Sequence, residues 1–231
     1  MIYTKLGKSD LNVSRICMGC MGIGDPSKGM NKWAVPEEES REIIRYALDQ
    51  GINFFDTAMS YQEGNSEEVL GKALKDFAKR DDYIVATKFL PRSQEELDRN
   101  VPGQAYVADC LDRSLKRLGL DYVDLYIYHM WDYHTPMEEI IEGLNNAVKA
   151  GKESKNVLMT EISLAWLLRK VTAPVMGVTK KSNIDGAVKA VELEFTQEET
   201  DYLEELYVPH ALAGVMAQNG KQKAGDVVKK I

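Results

Sequence analysis

Cysteine is scarce in this chain. There are three in 231 residues, an odd and small number that gives no disulfide framework. An excess of basic charge is also lacking: 29 Lys and Arg stand against 36 Asp and Glu, for a formal net charge of −7. An acidic chain has no general electrostatic footprint for nucleic acid, so no nucleic-acid partner is expected. No apolar run approaches the roughly 18 residues of a bilayer span. The opening Met1-Ile-Tyr-Thr-Lys-Leu-Gly-Lys-Ser-Asp10 lacks the apolar core of a secretory signal. These absences set the expectation of a cytoplasmic protein with no membrane partner. Hydrophobic residues at 44% and charged residues at 28% are ordinary globular usage, which excludes wholesale disorder.

What is present is a rhythm. Val13–Gly19, Ile52–Asp56, Tyr83–Lys88 and Tyr122–His129 read as strands. Amphipathic helical stretches follow each one, opened by Pro36, by Asn65 with Glu68 at capping-box spacing, by Gln104 and by Pro136. Gly51, Gly119 and Gly151 stand where helix C-termini want a left-handed residue. The pattern βαβαβαβα predicts parallel strands covered by helices. It then breaks. A helix over Met159–Lys170 follows the previous helix with no strand between them, and a fifth strand comes at Ala173–Val178. Ser182 with Asp185, and Thr196 with Glu199, repeat the capping-box spacing before two last helices. The reading is one domain over residues 1–207, with a tail over 208–231 that is poorer in pattern and expected to be loosely held.

Asp56, Lys88 and His129 each end a predicted strand. Parallel α/β folds place their chemistry at that edge, because the βα loops converge there. Tyr61 lies in the loop leaving the first of these strands. A phenol is a poor acid at neutral pH, a neighbouring ammonium lowers its pKa, and a carboxylate can hold that ammonium in place. With a His to orient a carbonyl oxygen, the four make a device for protonating that oxygen as hydride reaches carbon. Taken singly, Tyr61 reads rather as a surface loop aromatic.

Asp56-Thr-Ala-Met-Ser-Tyr61, Ala86-Thr-Lys88 and Tyr122-Val-Asp-Leu-Tyr-Ile-Tyr-His129 resemble the signature segments of the aldo-keto reductases. Gly51–Ala58 and Ser114–Tyr126 strengthen the likeness, which runs from Tyr3 to Lys152 and resumes from about Asn156 to about Pro209. The resemblance implies a TIM-barrel-type (β/α) fold that binds a nicotinamide cofactor, NADPH, and reduces a small-molecule aldehyde or ketone. It implies Tyr61 as general acid, Lys88 and Asp56 as its tuning groups, and His129 as the residue that positions the carbonyl. It also makes Tyr3–Ser14 a hairpin plugging the barrel floor, and places Met21 and Gly22 near the nicotinamide ribose.

Gly177-Val-Thr-Lys-Lys-Ser-Asn-Ile-Asp185 is similar to the family's adenosine-phosphate loop. Thr179, Lys180, Ser182, Asn183 and Asp185 are the implied contacts, with Lys180 and Ser182 on the 2′-phosphate. A helix start attracts phosphate in its own right, although a capped helix beside solvated lysines has the same sequence. Asn183 and Gly186 depart from the family, which often has Arg or His at the first and an amide or acid at the second. Cys17 and Cys20 form a lone Cys-x-x-Cys, but on a strand their side chains point to opposite faces, which disfavours a metal or redox role. Trp33 and Trp131 either line a substrate pocket or cover apolar surface. His134 and His210 show no ligand spacing.

A closed barrel of this type needs eight strands and about 250 residues. Five strands are legible here, and the family pattern jumps near 152–156. The fold expected is therefore an incomplete barrel with its five strands in the order 8-1-2-3-4 in family labels. Its open edges would invite pairing into a homodimer. Two functional readings follow. One is an NADPH-dependent carbonyl reductase; the other is a catalytically impaired remnant that binds nucleotide or another protein.

Overall fold

A computed structural model of the chain describes residues 1–131, 135–150, 173 and 175–190. The helix read at Met159–Lys170, Gly151, the elements after residue 190, His134 and His210 lie outside these residues. A hairpin comes first: β1 (Tyr3–Lys5) pairs antiparallel with β2 (Asn12–Ser14). Five parallel strands follow, β3 (Cys17–Gly19), β4 (Phe54–Asp56), β5 (Ile84–Phe89), β6 (Leu125–Tyr128) and β7 (Val175–Gly177). Their order across the sheet is β6-β5-β4-β3-β7, the order read from the sequence. The helices are α1 (Glu37–Asp49), α2 (Asn65–Phe77), the short α3 (Gln94–Asp98), α4 (Gly103–Leu118), α5 (Met137–Lys149) and α6 (Lys181–Ala190). The sheet is thus an open part of a (β/α) barrel.

Alternation along the strands divides the core in two. Met18, Phe55, Val85, Phe89 and Tyr126 face the helices and pack in the larger cluster against the apolar stripes of α1, α2, α4 and α5. Cys17, Phe54, Ile84, Ala86 and Leu125 face the other way, where Leu6 and Val13 of the hairpin cover them together with Ala173. The hairpin therefore plugs the lower part of the concave face. The upper part of that face carries the next residues of the same alternation, Asp56 after Phe54, Lys88 after Ala86, and His129 after Ile127.

Three local readings are corrected. Val13–Gly19 is not one strand: the Ser14 hydroxyl donates to the Ile16 carbonyl at 2.6 Å, and this turn separates the hairpin from β3. Asn65 forms no capping box. Its Oδ1 accepts the Asp25 N–H at 2.8 Å while its amide donates to Glu68, so it fastens the first βα loop to α2. Ser182 is not an N-cap, since α6 already begins at Lys181. The helix α3 was unread, although Ser93 and Glu96 form the reciprocal capping box that begins it.

Helices α2 and α4 cross at a glycine. A Cβ added at Gly71 would fall 2.0 Å from the Leu118 carbonyl oxygen, and this obstacle is backbone that no rotamer change can move. Gly71→Ala gains about 1 kcal/mol of helix propensity but forces the helices apart, at about 1–3 kcal/mol or more. The expected outcome is a net loss of stability, measured as a lower denaturant midpoint; an unchanged or raised midpoint would show that the crossing relaxes.

Candidate active site

Lys88 is the hub. Its Nζ lies 2.5 Å from Asp56 Oδ1, 2.9 Å from the Thr57 carbonyl and 3.3 Å from the Tyr61 hydroxyl. Asp56 and Lys88 come from neighbouring strands β4 and β5, paired so that Asp56 is level with Ala86. Lys88 therefore stands one inward-facing position above Asp56 and reaches over to it. The pair is nearly enclosed, with side chains 9% and 13% exposed. The His129 ring meets the Tyr61 ring edge-on, centroids 5.7 Å apart. The four residues read from the sequence thus come together at the C-terminal edge of the sheet.

Burial sets their protonation. It pushes the Asp56 carboxyl up while Lys88 holds it down. Burial works against the Lys88 ammonium, but Asp56 and Tyr61 outweigh it and raise its pKa. For Tyr61, burial raises the phenol above its ordinary value, and Lys88 only partly opposes this. The expectation of a lowered phenol pKa is therefore corrected: desolvation exceeds the pull of the ammonium, and Tyr61 keeps its proton at neutral pH. His129 is pushed down to about 4 by burial and by Lys88, so its ring is neutral at pH 7. Its Nδ1 is buried with no hydrogen-bond partner among the described residues.

The turn carrying Tyr61 is strained. Gln62 and Glu63 take φ of 46° and 57°, and Gly64 takes 91°. Left-handed backbone costs a non-glycine residue about 1–2 kcal/mol. Beneath the turn lies Glu67, fully buried, whose carboxylate accepts from Thr87 Oγ1 and from Arg117 Nε, both at 2.6 Å. The sequence reading missed this carboxylate. Its signal was a Glu on the apolar stripe of α2, three residues before Leu70 and seven before Leu74.

The residues expected at the cofactor divide into two groups that meet. A Cβ at Gly22 would fall 2.8 Å from Trp33 Cζ3 and 2.9 Å from Thr179 Cγ2, so the first βα loop touches the loop after β7. Met21 is exposed beside it, and Lys180 and Ser182 are exposed at the start of α6. Asn183 Oδ1 accepts the N–H groups of Thr179 and Lys180, and Asp185 Oδ1 accepts the Tyr46 hydroxyl at 2.6 Å. These two side chains shape the loop and dock it on α1. Cys17 and Cys20 do face opposite sides of the sheet, one in each cluster, and burial raises both thiols.

The family model described as the Aldo/keto reductase family matches residues 15–155 and 152–208. The chain belongs to this family. The two matched pieces meet where the sequence pattern jumps. Aldo-keto reductase YhdN of Bacillus subtilis is 41% identical over 153 residues, which cover 66% of this chain and 45% of that protein. Versiconal hemiacetal acetate reductase of Aspergillus parasiticus is 38% identical over 170 residues, covering 66% and 49%. The chain spans about half the length of the curated relatives it matches. A crystal structure of a thermostable aldo-keto reductase superposes with a TM-score of 0.72 at 22% identity, covering 90% of this chain and all of that one; it supports the fold.

The His129 environment yields a pH prediction. A folded-state pKa of about 4, below the ordinary 6.5, means the neutral ring favours the fold. That contribution is complete above pH 6.5 and is lost as pH falls towards 4. Proton NMR of the His129 ring is expected to titrate near pH 4. His129→Gln should flatten the loss of stability between pH 6.5 and 4. A ring titrating near 6.5 would show that the site is open to water.

Proposed function

We propose that the protein is an oxidoreductase that reduces aldehydes or ketones to alcohols with NADPH, Tyr61 serving as the proton donor. The observation that carries this reading is the Lys88 ammonium in simultaneous contact with Asp56, Thr57 and the Tyr61 hydroxyl. When bound, the cofactor supplies a hydride to the carbonyl carbon. Met21, Gly22 and Asp56 would stand at its nicotinamide end. Thr179, Lys180, Ser182, Asn183 and Asp185 would form the adenosine-phosphate end, where the exposed Lys180 beside a helix start suits a phosphate. The joint at Gly22 and Thr179, with no room for a side chain on Gly22, supports this division of one site between two loops.

Tyr61 donates its phenolic proton to the carbonyl oxygen as negative charge develops there. Its protonated resting state suits a general acid, and the Lys88 ammonium stabilises the phenolate left behind. Asp56 keeps that ammonium charged in a buried place. The neutral His129 can donate one ring N–H to the carbonyl oxygen and fix its position against Tyr61. Tyr61 then regains its proton from solvent.

A second reading is a catalytically impaired remnant that binds nucleotide or another protein. Two observations favour it: the described sheet has five strands where a closed barrel has eight, and the match covers only about half the length of its relatives. Its edge strands among the described residues, β6 and β7, would pair in a homodimer.

NADPH titration followed by tryptophan fluorescence separates the readings, because Trp33 lies against Gly22. The first reading expects saturable binding in the low micromolar range, about −8 kcal/mol. Binding should be preserved in Tyr61→Phe, whose carbonyl reduction should fall by about 10²–10⁴-fold. Retained turnover in Tyr61→Phe would remove Tyr61 from its role. No binding up to millimolar NADPH would leave the second reading, and sedimentation would then show whether two copies pair.

A further inference from the structure

We infer that Glu67 and Arg117 are positioning residues that set the distance between Tyr61 and Lys88. The inference rests on the reading of Tyr61 as proton donor. Glu67 is fully buried, and each of its carboxylate oxygens is used on a different segment of the site. Oε1 accepts from Thr87, the residue before Lys88 on β5. Oε2 accepts from Arg117 Nε near the C-terminal end of α4. The Arg117 guanidinium lies directly under the Tyr61 turn. A Cβ at Gly64 would fall 2.6 Å from Arg117 Cδ and Nε, so the turn backbone rests on the guanidinium with no room between.

One carboxylate therefore links the strand that carries Lys88 to the turn that carries Tyr61. That turn does not hold its shape by itself, since Gln62 and Glu63 sit in left-handed conformations unfavourable to side chains. Its other ties are a 3.3 Å bond from the Gln62 amide to the Asn31 carbonyl and a 3.2 Å bond from the Gly29 N–H to Glu63, both to the first βα loop. From β5 the segment receives the Lys88 ammonium on the Tyr61 hydroxyl and a backbone bond from the Met59 N–H to the Lys88 carbonyl, and Arg117 of α4 supports its far end at Gly64. Arg117 Nη2 is buried with no hydrogen-bond partner among the described residues.

The test places 3-fluorotyrosine at position 61 of the full chain, and in a second sample at position 126 as a core reference. Fluorine NMR is recorded for wild type, for Lys88→Met and for the double variant Glu67→Gln, Arg117→Met, which removes both charges and leaves neither uncompensated. In wild type the position-61 resonance should move on Lys88→Met. In the double variant it should broaden and shift, with its sensitivity to Lys88→Met at least halved, while the position-126 resonance stays in place. An unchanged position-61 resonance in the folded double variant would overturn the inference. If the position-126 resonance also collapses, Gly64→Ala is used instead. It keeps both charges and forces the turn and Arg117 apart; the same loss at position 61 is expected, and an unchanged resonance overturns the inference. In a turnover assay, the double variant should lower kcat at least tenfold with KM within twofold. A wild-type chain without turnover would defeat the functional reading, whereas the fluorine comparison would still decide the positioning role.

Discussion

The site depends on an ammonium kept charged where water is scarce. Burial at this depth works against the charged form of a lysine. Asp56 counters that, and the two charges, one on β4 and one on β5, become a single neutral unit with a directed face. That face is turned to the Tyr61 hydroxyl. Removing either partner leaves a buried charge uncompensated, which typically costs 3–5 kcal/mol. The pair is therefore both a brace between strands and the electrostatic setting of the phenol. The balance at Tyr61 follows from the same enclosure: burial holds the proton on, and the ammonium lowers the cost of giving it up. Before reaction the first effect is larger, which is the order a general acid needs.

The strand alternation puts these groups together. Phe54, Ile84 and Leu125 face the concave side and are sealed by the hairpin; the polar residues one or two inward positions further on the same strands are left at the open end. Their position needs no separate explanation once the register is set, because parallel pairing holds neighbouring strands level and the period of two decides the face.

Much of this was legible in the sequence. The helices over the first four units and the placing of Asp56, Lys88 and His129 at one sheet edge followed from short apolar runs, glycine stops and the charged residues that end strands, while the strand order and the part given to Tyr61 came with the family resemblance. Boundaries were less legible, because they are decided by partners distant in sequence. Val13 and Cys17 belong to different strands on account of a hydroxyl bond at Ser14, and Asn65 gives its carbonyl to Asp25 rather than to its own helix. The Tyr61 phenol was read with the right neighbour and the wrong net direction, since a sequence lists charges and does not reveal how much water they keep. Glu67 was missed for a related reason: its partners Thr87 and Arg117 are 20 and 50 residues away in the chain.

The site is built from two kinds of connection. Every group proposed to handle the proton lies between Asp56 and His129, on or just after three strands that pair side by side, and the supports of those groups, Glu67, Thr87 and Arg117, lie in the same stretch. That part of the molecule closes on itself without reference to the rest of a barrel. The residues proposed to hold the cofactor are arranged differently. Met21 and Gly22 must meet Thr179 and the start of α6 across more than 150 positions of chain, and they do so only because β7 pairs with β3. On the proposed function, the sheet carries a locally determined acid and a cofactor cleft that depends on one long-range strand pairing. In a chain whose match covers only about half the length of its relatives, the physical demand falls on that pairing, because the proposed hydride delivery would require both loops in register while the proposed acid would require only its neighbours.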